Sequence, residues 1–375
     1  MLLGTAVVVV GGGLDLLGLP SALLFGSLLV GLGFAVAAPG RIALPSLAFT
    51  AAQAVLGTVL GAFLEPSSLG ALARDWLPVA LVAAATLAIS LGVSQAVARL
   101  AGIDRVTAAL GLVAGGASGI VSMAEELGAD DRLVAFMQYA RVLIVVLATP
   151  LVVLVAFPGG EGLAGAPADG PLLGSAEGWA LTALAALAGV TAGRLVRLPV
   201  AALLGPLLLA GAVTLADPGA LAPPPLLREV AFAVIGVRVG LRFTPGAVRR
   251  LGRLVLPVLG AIVALMLACF GLAAALAATT SATLLDAYLA TTPGGLYAVL
   301  AVAFGAGADT TFILAVQTLR LFVMILLAPP VARQMAGHAP GCATRRRQRI
   351  AQATGSASRE EDDSRAREAE EEVDR

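Results

Sequence analysis

The chain repeats itself at a fixed interval of 179 residues, so whatever its first half builds, its second half must build again. Leu19-Pro20 returns as Leu198-Pro199, the pair Gly57/Gly61 as Gly236/Gly240, and Pro78 as Pro257. Gly115-Gly116 returns as Gly294-Gly295, Gly128-Ala129-Asp130 as Gly307-Ala308-Asp309, Gln138 and Arg141 as Gln317 and Arg320, and Pro150 as Pro329. No gap interrupts this register. Similarity of apolar composition alone would not hold it through Gly, Pro, Gln, Asp and Arg positions, so the halves are copies of one unit.

The solvent of that unit is lipid. Of 375 residues 59% are hydrophobic and 13% charged, with mean hydropathy +0.95; a soluble domain carries about 25% charged residues. Apolar segments run near 2–16, 20–37, 43–64, 77–98, 106–124 and 133–157, then near 179–193, 199–215, 226–243, 254–278, 284–304 and 311–333. This divides the chain into a first membrane repeat (1–157), an acidic Gly/Pro-rich linker outside the cell (158–178), a second repeat (179–335) and a charged cytoplasmic tail (336–375) whose composition predicts disorder.

Loop charges alternate in sign along each half. The first half reads Asp15, then Arg41, then Glu65, Arg74 and Asp75, then Arg99, Asp104 and Arg105. The second reads Arg194 and Arg197, then Asp217, Arg228 and Glu229, then Arg242, Arg249, Arg250 and Arg253, then Asp286, which is the opposite phase. Because basic loops stay cytoplasmic, the repeats are expected to be inverted. Inversion needs an odd number of crossings per half. The fifth segment of each half, carrying Ala114-Gly115-Gly116-Ala117-Ser118-Gly119 or Thr291-Thr292-Pro293-Gly294-Gly295, is the one expected to break or re-enter. The expectation is an all-α polytopic bundle of two inverted repeats, with about ten crossings plus two broken or re-entrant segments. It sits as a multi-pass protein in the inner or plasma membrane with both termini cytoplasmic.

Several functions are excluded by what the chain lacks. One histidine (His338) and two cysteines (Cys269, Cys342) cannot furnish a zinc or copper site, so no metal and no cofactor is expected. There is no Lys to complete a P-loop and no nucleophile–base set, so no enzyme is expected. Met1 to Val10 lacks a basic n-region and reads as a retained first span.

The candidate site is polar and deep. Arg141 and Arg320 follow Asp130 and Asp309 by eleven positions, about 16 Å along a helix, which puts a guanidinium near the bilayer midplane. Gln138 and Gln317 lie three residues earlier, on the same face. With Gly115, Gly116 and Ser118 of the first half, and Thr291, Thr292, Pro293, Gly294 and Gly295 of the second, they form the expected substrate site. The alternative is that each arginine satisfies carbonyls of the broken neighbour. Asp130 and Asp309 are helix caps or ion-coupling groups. The GxxxG pairs Gly57/Gly61 and Gly236/Gly240 read as close helix crossings.

The stretch Ala124-Glu125-Glu126-Leu127-Gly128-Ala129-Asp130 with Gln138, Arg141 and Pro150 resembles the duplicated membrane module of the AbrB transporter family. So does Thr292-Pro293-Gly294-Gly295 with Asp309, Gln317, Arg320 and Pro329. Family members usually carry Ser/Thr-Pro-Gly-Gly in both halves; the first copy here reads Gly111-Leu112-Val113-Ala114-Gly115-Gly116, without the proline. Such proteins are described as transcriptional regulators or ammonia monooxygenases, yet this chain has neither copper ligands nor a basic folded module for DNA. The repeat architecture with its broken segments reads as a secondary transporter or permease. Two midplane guanidiniums beside the Gly-Gly breaks favour a small organic anion as its solute. The alternative is a membrane-embedded ligand sensor that affects gene expression indirectly. Expected partners are the lipid bilayer, a small-molecule solute and a second copy of the chain, with no direct nucleic-acid binding.

Overall fold

The computed structural model describes residues 2–19, 21–39, 41–64, 66–113, 117–157, 171–198, 200–242 and 252–337. The first half forms α1 (Leu2–Leu16), α2 (Ala22–Ala37), α3 (Ser46–Ala62), α4 (Pro66–Arg74), α5 (Trp76–Ala101), α6 (Arg105–Leu112), α7 (Ala117–Glu126) and α8 (Asp131–Ala156). The second forms α9 (Ala176–Leu195), α10 (Ala201–Ala216), α11 (Pro225–Gly240), α12 (Val255–Thr279), α13 (Leu284–Thr291), α14 (Leu296–Gly305) and α15 (Thr310–Gly337). No strand occurs among the described residues. The duplication is built into these elements: α10 begins 179 residues after α2, α11 after α3, α12 after α5, α13 after α6, α14 after α7 and α15 after α8.

The expected ten crossings with two re-entrant segments are overturned. Among the described residues four helical stretches are long and apolar enough to cross a bilayer: Trp76–Ala101, Asp131–Ala156, Ala176–Leu195 and Gly252–Thr279. A fifth is added only if Ser46–Ala62 and Pro66–Arg74, bent by 85°, count as one span. For α2, α10, α11 and the broken fifth segments the physical reason is length. A 16-residue helix such as α2, α10 or α11 rises only about 24 Å, short of a hydrocarbon core of about 30 Å. The fifth apolar segments are split into helices of 8 and 10 residues. An apolar run read along the sequence also counts the caps and prolines at which the helix has already stopped. The parity argument for inverted repeats counted ten crossings, and it falls with them.

The membrane location itself rests on the long helices and on what they expose. Leu81 on α5, Leu187 on α9 and Leu256 on α12 are 61–78% exposed, as suits helices whose outer faces meet lipid.

The halves interlock crosswise. Helix α3 packs on α10, and α2 on α11, so that each helix meets the copy of its neighbour. Glycine permits the approach: a Cβ on Gly57 or Gly61 would strike the carbonyl oxygen of Leu203 or Leu207, and one on Gly236 or Gly240 that of Leu24 or Leu28. Around this frame, α5, α6 and α8 pack with α12, α13 and α15, and the short helices α6, α13 and α14 are largely enclosed, with Leu112, Leu289, Val299, Ala301 and Val302 fully buried.

Candidate functional site

Each half contains a short helix that stops inside the protein. A helix end leaves carbonyls without donors and a partial negative charge. Helix α6 stops at Leu112, and the carbonyls of Leu110 and Val113 accept from Gln138 Nε2 at 2.6 and 2.9 Å. Arg141 Nη1 donates to the Leu112 carbonyl at 2.8 Å, and its Nη2 to Gln138 Oε1 at 2.9 Å. The second half repeats the device. Gln317 Nε2 donates to the Leu289 carbonyl at 2.9 Å, Arg320 Nη1 to those of Thr291 and Thr292 at 3.1 and 2.7 Å, and Arg320 Nη2 to Gln317 Oε1. The three-residue spacing of Gln and Arg makes this work, because it sets both side chains on one face of α8 or α15. Arg141 and Arg320 are 3% and 5% exposed, and no carboxylate pairs with either in these contacts; helix-end carbonyls take that place.

Asp130 and Asp309 fix where the long helices start. Asp130 Oδ1 accepts from the Leu133 amide at 3.0 Å and Asp309 Oδ1 from the Phe312 amide at 2.9 Å, which is N-capping geometry. Their own amides tie back to the short helices, Asp130 to Thr107 Oγ1 at 3.0 Å and Asp309 to Asp286 Oδ1 at 2.8 Å. These contacts set the register that brings each Arg to its helix end.

The second break, Thr292-Pro293-Gly294-Gly295, turns on two glycines with φ of 132° and 73°, the latter a conformation that a side chain would strain. Thr292 Oγ1 folds back onto the Tyr288 carbonyl at 2.7 Å, and Thr291 Oγ1 onto that of Ala287 at 2.9 Å. Gly295 then starts α14 with no side-chain cap.

These parts converge on a cavity of about 330 Å³, at the small end of ligand pockets. Of the residues expected from sequence, Gln138, Arg141, Gly294, Gly295, Gln317 and Arg320 line it. Thr291, Thr292 and Pro293 stand beside it as the helix end that Arg320 holds, while Asp130 and Asp309 sit at helix starts and not on its wall. Ser118 lies in α7; Gly115 and Gly116 fall outside the described residues.

Sequence reasoning missed four lining residues: Gln53, Arg238, Arg242 and Tyr297. Arg238 Nη1 donates to the Leu44 carbonyl at 2.8 Å and its guanidinium lies 5.9 Å from the Phe49 ring; Gln53 Nε2 donates to Tyr297 Oη. The signal was present in the duplication. The counterparts, 179 residues away, of Gln53, Arg238 and Arg242 are the apolar Phe232, Val59 and Phe63, so at these three places the two copies disagree about polarity, while Tyr297 answers to Ser118. No Asp or Glu lines the cavity among the described residues, and four arginines do. A ligand there would meet guanidiniums and an uncapped helix N-terminus, both of which favour negative charge. Among the described residues, no group of three His, Cys, Asp or Glu side chains could hold a metal ion.

The family model described as "Transition state regulatory protein AbrB" matches residues 23–336. A protein of Escherichia coli (strain K12), "Putative regulator AbrB", is 37% identical over 336 residues, covering 86% of this chain and 92% of its own length. "Uncharacterized protein YhjN" of Bacillus subtilis (strain 168) is 26% identical over 301 residues, covering 75% and 77%. The descriptions that state a role name a regulator and not an enzyme, in keeping with reading the chain as a non-enzyme.

Proposed function

Given that the chain belongs to the AbrB family and is a multi-pass membrane protein, we propose that it is a membrane-embedded regulator that senses a small organic anion in its central cavity. The observation that carries the reading is the charge of that cavity: among the described residues four arginines, no carboxylate and the open start of α14 line one space. In a low-dielectric surrounding such a charge set favours an anion far more than it would in water. The regulatory output follows from the relative's description, and in this proposal it is indirect: the chain changes gene expression through the ligand it binds, with its charged tail on the cytoplasmic side and without contacting nucleic acid.

The test is ligand-dependent stability. Purified protein in detergent is heated with sodium carboxylates, with sodium chloride at equal ionic strength as the control. A carboxylate at a hundredfold its Kd stabilises by about 2.7 kcal/mol, and Arg141→Gln removes that gain. Stabilisation by alkylammonium salts but not by carboxylates sinks the reading.

A second reading, a secondary permease for the same anion, is favoured by one feature. Helices α13 and α14 break beside the cavity with their ends turned to it, as discontinuous helices do at transporter midplanes. Carboxylate counterflow in proteoliposomes separates the two: flux supports the permease, and binding without flux supports the sensor.

A further inference from the structure

Two arginine nitrogens in the central cavity have been left open. Among the described residues, the buried side-chain nitrogen and oxygen atoms without a hydrogen-bond partner are Gln95 Nε2, Arg141 Nε, Thr182 Oγ1, Arg238 Nε and Tyr288 Oη. Of these, Arg141 and Arg238 line the cavity, and the other three residues do not. A buried N–H of a cation without an acceptor is costly, and such groups are otherwise paired.

Three other nitrogens of the two side chains already have acceptors. Arg141 uses Nη1 on the Leu112 carbonyl and Nη2 on Gln138, while its Nε faces Gly294, where an added Cβ would lie 3.4 Å away. The missing side chain therefore keeps clear the space between this nitrogen and the uncapped start of α14 at Gly295. Arg238 comes from a different helix, α11, with Nη1 fixed on the Leu44 carbonyl. The remaining two arginines differ from these. Arg320 is held by Thr291, Thr292 and Gln317, and Arg242 is exposed, where water and salt screen it. Much of the rest of the wall is apolar, including Leu24, Val146, Ile235 and Val239.

We propose that the cavity takes a dicarboxylate with a short apolar spacer, one carboxylate on Arg141 and the start of α14, the other on Arg238. The proposal rests on the anion reading above and narrows it. Two open donors on two helices can each take one acid group. The apolar wall disfavours a uniformly polar ion such as inorganic phosphate, which would lose hydration there without replacement. It suits methylene groups instead.

The experiment is isothermal titration of the purified full chain in detergent with butyrate, pentanoate, succinate, glutarate, adipate and inorganic phosphate. A dicarboxylate of the best length is expected to bind about tenfold or more tighter than the monocarboxylate of equal carbon number, as one added charge-assisted contact gives. In Arg238→Gln the dicarboxylate falls to the monocarboxylate's affinity while the monocarboxylate is unchanged; in Arg141→Gln both are lost. Arg238→Lys, which keeps the charge and loses the Nε donor, gives an intermediate preference and serves if the glutamine variant does not fold. Equal affinity for mono- and dicarboxylates, tightest binding of phosphate, or an equal loss for both acids in the Arg238 variants would overturn the dicarboxylate assignment and leave the anion reading standing. Binding of none of these anions overturns both.

Discussion

Replacing Gln317 by leucine removes the amide that joins Arg320 to the end of α13 at nearly constant volume. Gln317 is 3% exposed; its Nε2 donates to the Leu289 carbonyl at 2.9 Å and its Oε1 accepts from Arg320 Nη2. Leucine leaves that carbonyl and one guanidinium N–H without partners. A stranded buried group costs about 1–3 kcal/mol in soluble proteins, while interhelical hydrogen bonds in membranes average about 0.6 and reach about 1.7. Two such losses, one on a cation, come to about 2–4 kcal/mol, and the leucine's added apolar burial returns about 1. The expected net loss is about 1–3 kcal/mol. Gln138→Leu should cost more, because Gln138 Nε2 serves two carbonyls, those of Leu110 and Val113. Gln317→Glu should cost less than the leucine, since it still accepts from Arg320 and strands only the Leu289 carbonyl. Stability is read by thermal unfolding in a mild detergent and by titration with a denaturing one. If Gln317→Leu matches the parent protein, or if Gln138→Leu is the milder of the pair, the helix ends are not held by these side chains and the reasoning fails.

The crossing glycines give a sharper contrast. On Gly61 a Cβ would meet the Leu207 carbonyl at 2.5 Å and Ala210 Cβ at 2.7 Å, so Gly61→Val should cost more than about 3 kcal/mol or prevent folding. Gly271 has nothing within 4 Å, and Gly271→Ala should stabilise α12 by up to about 1 kcal/mol; both are read by the same unfolding curves. Asp309→Ala removes a cap on the Phe312 amide and should cost about 1 kcal/mol, with Asp309→Asn nearly neutral; an equal loss for both would show that the charge and not the cap matters.

Much of the site was legible because it is local. Gln and Arg three residues apart must share a helix face, and a Gly-Gly pair after Pro must end a helix, whatever surrounds them. The duplication marked these as one device used twice, and the paired hydrogen bonds of Gln138 with Arg141 and of Gln317 with Arg320 follow it atom for atom at most contacts. The crossing count was not legible. Apolarity gives the solvent of a segment, whereas spanning depends on where the helix stops, and α2, α10 and α11 stop at 16 residues.

Sequence alone thus determined the all-helical unit, its duplication, its glycine crossings and the two Gln–Arg pairs, because each is a relation between residues near in the chain or at one fixed interval. Only the tertiary structure decided which charges share a cavity. Arg238 has an apolar counterpart in Val59 and stands between two crossing glycines, which gave it the look of a packing residue. Helix α11 lies so close on α2 at Gly236 and Gly240 that Arg238, one helix away from the broken segments in sequence, comes to line the same space as Arg141 and Gly294. The glycine pattern marks a helix face that a backbone can approach closely, but not which helix comes to it, and that choice of partner is made by the packing of the whole bundle.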